Sequence, residues 1–425
     1  MVVRFPAPAS VTGEDCAELH LHGSHAVVSA VLEALRSLPF VRPAQAGEFT
    51  RRAFEGGKLD LTQVEGLSDL LSAQTESQRA QALFAARGSL GRRYARWRET
   101  LLSSLAAVEA CIDFGEDEHI ADQVAFESEG RIKALAGELH AALQTGHRGE
   151  LVREGLRVAI MGAPNAGKSS LLNALAGKSV AIVSATPGTT RDVLHADLDL
   201  GGICARVSDC AGLRETADEI EREGVRRALE LAKEAHLLVL VVDDSAAKQA
   251  SVASPASETL EGADMAPQQL MQIARPHARV VLVRNKADLA IGPGRAAADS
   301  ASWTAAKESP ILQAHAECNV SCVTGEGIDA LIAALGEQAA AYVERSGDAG
   351  EDHSEAPTAL ITRERHRRAV EEALEHLEAY AAHPTTLELA GEDIRRAARA
   401  LGSVTGALET EDVLDRVFSQ FCIGK

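Results

Sequence analysis

The sequence is poor in aromatic side chains, paired cysteines, long apolar runs and positive charge, and each shortage narrows what the chain can be. Aromatics supply 3% of its 425 residues while hydrophobic residues supply 46%. With many Ala, Leu and Glu, that balance points to a helix-rich globular protein with an α/β part. The seven cysteines (Cys16, Cys111, Cys204, Cys210, Cys318, Cys322 and Cys422) are odd in number, scattered and without a C-x-x-C pair. This argues against a disulfide framework and a zinc site and leaves free thiols as the expectation. No run reaches the roughly 18 apolar residues of a membrane span. No signal-peptide pattern follows Met1, so a cytoplasmic protein with no membrane partner is expected. The formal net charge is -19; such a surface does not bind a polyanion as a whole, and nucleic-acid contact must be local or supplied by a partner. The length suits two or three domains of about 150 residues each.

What the chain does contain is centred on one loop. The apolar run Val158-Ala159-Ile160-Met161 stops at Gly162-Ala163-Pro164-Asn165-Ala166-Gly167-Lys168-Ser169-Ser170. The spacing G-x-x-x-x-G-K-S lets consecutive backbone N–H groups, among them those of Asn165, Ala166, Gly167 and Ser170, wrap a phosphate. It also aims Lys168 at the outer phosphates and gives Mg2+ the Ser169 hydroxyl. Leu171, Leu172, Ala174 and Leu175 then repeat at helical spacing, so the loop lies where a strand feeds a helix N-terminus, a natural anion site.

Around this loop, from about 155 to 340, strand-like and helix-like stretches alternate as in a doubly wound sheet. Strands are predicted at 158–161, 204–207, 237–242, 280–283 and 318–322. The Ala/Ser-rich stretch between Asp243 and Arg279 reads as a surface loop with one helix. On both flanks the pattern is helical: apolar residues recur every three or four positions from Leu59 to Asp113, at 134–146, and from 345 onward through Leu374, Leu377, Ile394, Leu401 and Phe418. The acidic residues Asp113, Glu116, Asp117 and Glu118 suit a connection. The expected architecture is a multidomain α/β plus all-α chain in which a doubly wound P-loop domain is inserted into one helical bundle. Ahead of the bundle, residues 1–56 mix strand-like alternation at 18–22 with helical spacing at 27–38. His20, His22 and His25 invite a metal reading that is weak for want of an acidic or cysteine partner, and surface or partner-pairing histidines are expected.

Chemistry-bearing residues gather in the middle segment. Asp209-Cys210-Ala211-Gly212 ends a strand with D-x-x-G, where Asp209 can hold Mg2+ through water and the Gly212 amide can sense a terminal phosphate. Asn285-Lys286-Ala287-Asp288 follows another strand. The Asp288 carboxylate can accept from the ring N–H and exocyclic amine of guanine, Lys286 can lie over the base, and Ser321-Cys322-Val323 can offer a backbone N–H to the guanine carbonyl. GTP is therefore the expected nucleotide. Gly188-Thr189-Thr190-Arg191-Asp192 supplies Thr190 as a second Mg2+ hydroxyl beside Ser169. After Gly212, where Ras-like proteins carry a water-orienting Gln, stands Leu213, which does no acid or base work. Asp218, Glu219 and Glu221 are the nearby carboxylates that could position water, or they simply favour a helix N-terminus.

These motifs resemble the MnmE (TrmE) family of tRNA modification GTPases across essentially the whole chain. The match rests on G-x-P-N-A-G-K-S, G-T-T-R-D, D-x-A-G-L-R-x-x-x-D-x-I-E and N-K-A-D, with the early F-T-x-R-A-F-x-x-x-K-L-D-L stretch and the terminal F-C-I-G-K. The resemblance implies a folate-binding N-terminal domain (1–56), a helical domain in two parts (57–150 and 345–425) and an inserted G domain (155–340). It implies a homodimer whose G domains meet around K+, with Asn165 and the loop Ser184, Ala185, Thr186, Pro187, Gly188 and Thr189 holding nucleotide. Of these, Asn165, Ser184, Thr186 and Thr189 would serve K+, and Glu221 would orient the attacking water. With FAD- and NADH-using MnmG, in an expected heterotetramer, such proteins modify carbon 5 of the wobble uridine of certain tRNAs. The one-carbon unit comes from 5,10-methylenetetrahydrofolate, or a formyl-folate analogue binds instead. Glu18, Lys58 and Lys425 carry over as folate residues.

The chain departs from the family at its start, opening at Val2-Val3-Arg4-Phe5 without the Gly-rich strand region and folate-binding Arg; a partial N-terminal domain, or a misassigned start codon, is the expectation. Val323 replaces a more usual long polar residue at a backbone-mediated contact. Cys422 matches the family's C-terminal cysteine and also fits a C-a-a-X box, which a terminal Lys disfavours. A second class of function, an Era-like GTP-dependent RNA or ribosome assembly switch, would want an appended basic RNA-binding domain; the flanks here are acidic helical bundles.

Overall fold

The computed structural model describes residues 1–113, 118–163, 165–178, 180–182, 195–209, 230–243, 278–289, 314–345, 361–382, 387–406, 418 and 421. The chain divides into two compact units, of which one comprises Met1–Ala73, Arg79–Gly146 and Glu355–Lys425 and the other Gln74–Gln78 and His147–Ser354.

The first unit opens with an antiparallel pair, β1 (Val2–Phe5) and β2 (Cys16–Leu19), then α1 (His25–Arg36) and α2 (Glu48–Glu55). The bundle helices are α3 (Leu61–Ser72), α4 (Glu76–Ala86), α5 (Ser89–Asp113) and the first part of α6 (Glu118–Glu154). Asp60 starts α3 with a capping box, accepting from the Gln63 N–H while the Gln63 side chain accepts from the Asp60 N–H, a pairing that satisfies donors otherwise orphaned at a helix start. The apolar spacing of α5 buries Leu90, Tyr94, Trp97, Leu101, Leu105 and Val108. They pack against the same stripe of two late helices that we number α9 (Glu364–Ala382) and α10 (Leu387–Val404). The helix expected over 134–146 is the middle of the 37-residue α6, whose Ile132, Leu135, Leu139 and Ala142 face that core.

A buried charged cluster stitches α3 to α9 and the end of α10. Glu65, 4% exposed, meets Nε2 of the fully buried His366 at 2.9 Å and Arg365 at 3.1 Å. Arg363 reaches Asp69 at 2.7 Å, and Arg365 also donates to the Ser403 and Val404 carbonyls at 2.8 and 3.0 Å. Burial opposes ionisation of Glu65, yet His366 and the charges of Arg365 and Arg363 bring its carboxyl down to about 2. Burial keeps His366 neutral by pushing its pKa below 6.5 despite Glu65.

The second unit is a seven-stranded sheet in the order β4-β5-β6-β3-β7-β8-β9. Its strands are β3 (Leu156–Met161), β4 (Ala181–Ile182), β5 (His195–Leu200), β6 (Ile203–Asp209), β7 (Leu237–Asp243), β8 (Arg279–Asn285) and β9 (Ala316–Asn319). The pairings from β6 through β9 are parallel, and β4–β5 and β5–β6 are antiparallel. Near-continuous apolar strands such as Leu237-Leu238-Val239-Leu240-Val241 mark a sheet covered on both faces. One face packs against α7 (Lys168–Ala176) and α8 (Ile328–Arg345), the other against Ala232, Ala235 and Ala314. Two imidazoles extend the ladder at strand starts: His236 Nδ1 accepts the Arg157 N–H at 2.9 Å and His315 Nδ1 accepts the Val280 N–H at 3.1 Å. The strand expected over 318–322 ends at Asn319, because Ser321 to Gly327 turn tightly, with Ser321 N–H on the Glu326 carbonyl at 2.9 Å and Gly327 at φ 75°. The antiparallel β4–β5 pair was not expected. Among the described residues no helix is long and apolar enough to cross a membrane.

Glu65→Gln leaves two largely buried guanidiniums without their shared anion, which is expected to cost about 3 kcal/mol in the urea unfolding of the first unit, followed in the full chain by near-ultraviolet signals of Trp97 and Tyr94. The parent unit is also acid-sensitive by linkage. The depressed His366 pKa withdraws stability as pH falls below 6.5. The Glu65 contribution, complete above 4.5, disappears as pH falls towards about 2. A transition midpoint indifferent to pH between 7 and 3 contradicts both assignments.

Candidate nucleotide site

The carboxyl ends of β3, β6, β7, β8 and β9 bring most of the motif residues to one edge of the sheet, the place where open α/β sheets bind ligands. β3 delivers Met161 to Gly162, whose φ of 149° carries the chain across the end of β7; a Cβ there would lie 2.2 Å from the Val241 carbonyl oxygen. The loop turns through Asn165 at φ 62° and Gly167 at φ 96°, and Gly167 caps α7. A left-handed non-glycine residue such as Asn165 costs on the order of 1 kcal/mol, a cost asparagine bears better than most. Lys168 and Ser169 open α7, so that the N-terminal N–H groups of the helix follow directly on the loop, with the dipole favouring an anion. Lys168 Nζ donates to the Gly162 and Ala163 carbonyls at 2.8 and 2.9 Å.

The base-side residues are tied to this loop through a buried amide. Asn285, 2% exposed, ends β8; its Nδ2 donates to the Ala166 carbonyl at 2.9 Å and its Oδ1 accepts the Cys322 N–H at 3.4 Å. Three segments distant in sequence are thereby fixed by one side chain. Gly167 lies against the same amide: a Cβ there would be 2.1 Å from Asn285 Nδ2. Asp288 stands in a 3-10 turn (Ala287–Leu289), where its Oδ1 accepts the hydroxyl of the fully buried Ser321 at 2.6 Å. A carboxylate oriented in this way suits the paired donors of guanine and finds no such pair on adenine. Burial pushes the Cys322 thiol up against a hydrogen bond with Asn285, and the Asp288 charge adds to the rise. Cys322 is thus a neutral thiol that contributes its backbone N–H. Val323 is 87% exposed.

Asn165, Ala166, Gly167, Lys168, Ser169, Ser170, Asn285, Lys286, Asp288, Ser321, Cys322 and Val323 thus share one sheet edge. Asp209 joins them by its backbone, in register with Ile160. Ser184, Ala185, Thr186, Pro187, Gly188, Thr189, Thr190, Cys210, Ala211, Gly212 and Glu221 lie outside the described residues, as does Lys425. Of the Mg2+ pair, Ser169 offers the hard hydroxyl oxygen that this ion prefers. One contributor had escaped notice in the sequence: Asp243, the last residue of β7, whose Oδ2 is 2.5 Å from Lys286 Nζ. Its signal was a carboxylate closing a wholly apolar strand.

Glu18 and Lys58 belong to the first unit. Glu18 lies on β2, exposed and 3.0 Å from His20 Nε2. Lys58 follows α2, its stem beside Gly13, where a Cβ would lie 3.3 Å from Lys58 Cε. Phe418 and Phe421 pack with Phe54, Leu59 and Val64 in the same unit. Among the described residues no cluster of three or more His, Cys, Asp or Glu side chains forms a metal cage.

With this geometry in view, comparison with known proteins is specific. The family profile "MnmE helical domain" matches residues 61–422, and "GTP-binding protein TrmE N-terminus" matches 1–58. A tRNA modification GTPase MnmE of Parvibaculum lavamentivorans is 45% identical over 428 residues, covering 100% of this chain and 86% of that protein. The MnmE of Rhodospirillum rubrum is 46% identical over 425 residues, covering 100% and 84%. The human mitochondrial 5-taurinomethyluridine-[tRNA] synthase subunit GTPB3 is 44% identical over 427 residues, covering 100% and 81%. The chain therefore belongs to the MnmE family of tRNA modification GTPases.

Proposed function

We propose that this GTPase is a K+-dependent enzyme that acts with MnmG to install an aminomethyl or carboxymethylaminomethyl group at carbon 5 of the wobble uridine of certain tRNAs. The one-carbon unit comes from a methylenetetrahydrofolate. The observation that carries the nucleotide half of this reading is the Asn285 amide, which holds the phosphate loop and the guanine-side loop in one constellation. GTP phosphates would lie on the N–H groups of 165–170, with guanine between Lys286 and the Asp288 carboxylate. Bound Mg2+ and K+ would supply positive charge against the phosphates, Mg2+ on Ser169 and Thr190 and K+ on Asn165 with Ser184, Thr186 and Thr189. Leu213 has no group to orient water, so Glu221 takes that task.

The tRNA half rests on the family. Glu18, Lys58 and Lys425 would hold the folate; their charges of both signs suit a molecule with an amine-bearing ring and a carboxylate tail. Homodimerisation, a heterotetramer with MnmG carrying FAD and NADH, and a cytoplasmic setting belong to the same proposal. So does the division into 1–56, 57–150, 155–340 and 345–425.

GTP hydrolysis by the purified chain is expected to be far faster in K+ than in Na+ at equal ionic strength, and to rise with protein concentration as G domains pair. Indifference to the cation favours the assembly-switch reading instead. Glu221→Ala is expected to keep GTP affinity and lose roughly 100-fold or more in hydrolysis; parental turnover in K+ removes Glu221 from the mechanism. Asp288→Asn exchanges an acceptor for a donor and is expected to erode discrimination against ATP, measured by competition for labelled GDP; unaltered preference contradicts the guanine assignment.

A further inference from the structure

Two features of Lys286 bear on its placement in the site. Its backbone takes the left-handed conformation, φ 64°. Its ammonium is also claimed by a residue outside the N-K-x-D segment, Asp243, at 2.5 Å. The pairing follows from topology: β7 and β8 run parallel in a register that sets Asp243 opposite Asn285, so the last residue of β7 lies one step from Lys286. The two side chains are 32% and 23% exposed, at the rim of the site rather than in the core.

We propose that Asp243 is a positioning residue for nucleotide binding: by holding the Lys286 ammonium at the end of β7, it lays the four-carbon stem of that lysine across the place of the guanine ring. A lysine stem is flexible and its head strongly hydrated; unanchored, it would sample many rotamers and cover the base only part of the time. The anchor turns the stem into a fixed apolar surface, and the charge is directed to Asp243 rather than to the ligand. The inference rests on the guanine assignment of the N-K-A-D segment and adds to it a residue on another strand.

The test measures affinity of the full chain for GDP and GTP by displacement of a fluorescent guanine nucleotide, with variants Asp243→Ala, Asp243→Asn, Asp243→Glu, Lys286→Ala, the Asp243→Ala/Lys286→Ala pair, and Asp288→Asn as control. Asp243→Ala is expected to weaken binding about tenfold, with the loss in hydrolysis falling on KM rather than on kcat, and Asp243→Glu to recover part of it. In the Lys286→Ala background the Asp243 change is expected to add nothing further. Thermal midpoints identify any variant that fails to fold; should Asp243→Ala fail, the near-isosteric Asp243→Asn carries the same comparison. Parental affinity in Asp243→Ala, or losses that add with Lys286→Ala, overturn the proposal. If Asp288→Asn leaves guanine preference unchanged, the underlying base assignment fails; if it shifts preference towards xanthine nucleotides while Asp243→Ala binds normally, the positioning role alone fails.

Discussion

The nucleotide edge depends on a single buried amide. Asn285 is inaccessible to solvent, and a buried carboxamide left unpaired would cost on the order of 1–3 kcal/mol. Its donor is satisfied by the phosphate loop at Ala166 and its acceptor by the base loop at Cys322. The requirement therefore works in both directions: neither loop can shift without stranding a polar group in the interior. Gly167 belongs to the same constraint, since a side chain at that position would occupy the space of the amide nitrogen. The second glycine of the phosphate-loop motif is thus needed both for φ and for room.

A similar logic governs the bundle, with charge in place of an amide. The Glu65 carboxylate and the Arg363 and Arg365 guanidiniums are brought together where water is scarce, and His366, kept neutral by burial, adds a hydrogen bond to the carboxylate. Arg365 also takes up the last carbonyls of α10, which lack partners within their own helix. The cluster thereby closes a helix end while joining three helices, and in that it resembles a cap more than a surface ion pair.

Much of this was legible in the sequence, for reasons that differ by element. The five parallel strands stood out as apolar runs, four of them leading into motif residues, and the phosphate loop was readable because its glycines answer to backbone geometry. The extent of α6 was not: Gly130, Gly137 and Gly146 look like punctuation, and each costs a helix about 1 kcal/mol. The buried stripe Ile132, Leu135, Leu139 and Ala142 outweighs them, and around Gly130 and Gly137 nothing crowds the backbone. The β4–β5 pair hid because two of the six residues of His-Ala-Asp-Leu-Asp-Leu are charged. Its Asp197 pairs with Arg206 on β6, a cross-strand partner no local pattern announces. The bundle cluster was illegible for the same reason, since nothing near Arg363 and Arg365 in the sequence announces Glu65, some 300 residues earlier.

The two imidazoles at the opposite end of the sheet bear on the site although they lie far from it. His236 and His315 stand immediately before β7 and β9 and accept backbone N–H groups of β3 and β8 through Nδ1, which places the proton of each neutral ring on Nε2. Each adds a side-chain bond beside the backbone rung of its own residue, His236 N–H to the Arg157 carbonyl and His315 N–H to the Val280 carbonyl. A strand displaced by a single residue would lose that bond and exchange the side chains it presents to the two faces of the sheet. The imidazoles thus act as alignment pins: by fixing where β7 and β9 begin, they fix which residues end those strands, and so bring Asp243 level with Asn285 and Asn319 level with Arg284 at the edge where nucleotide chemistry is carried.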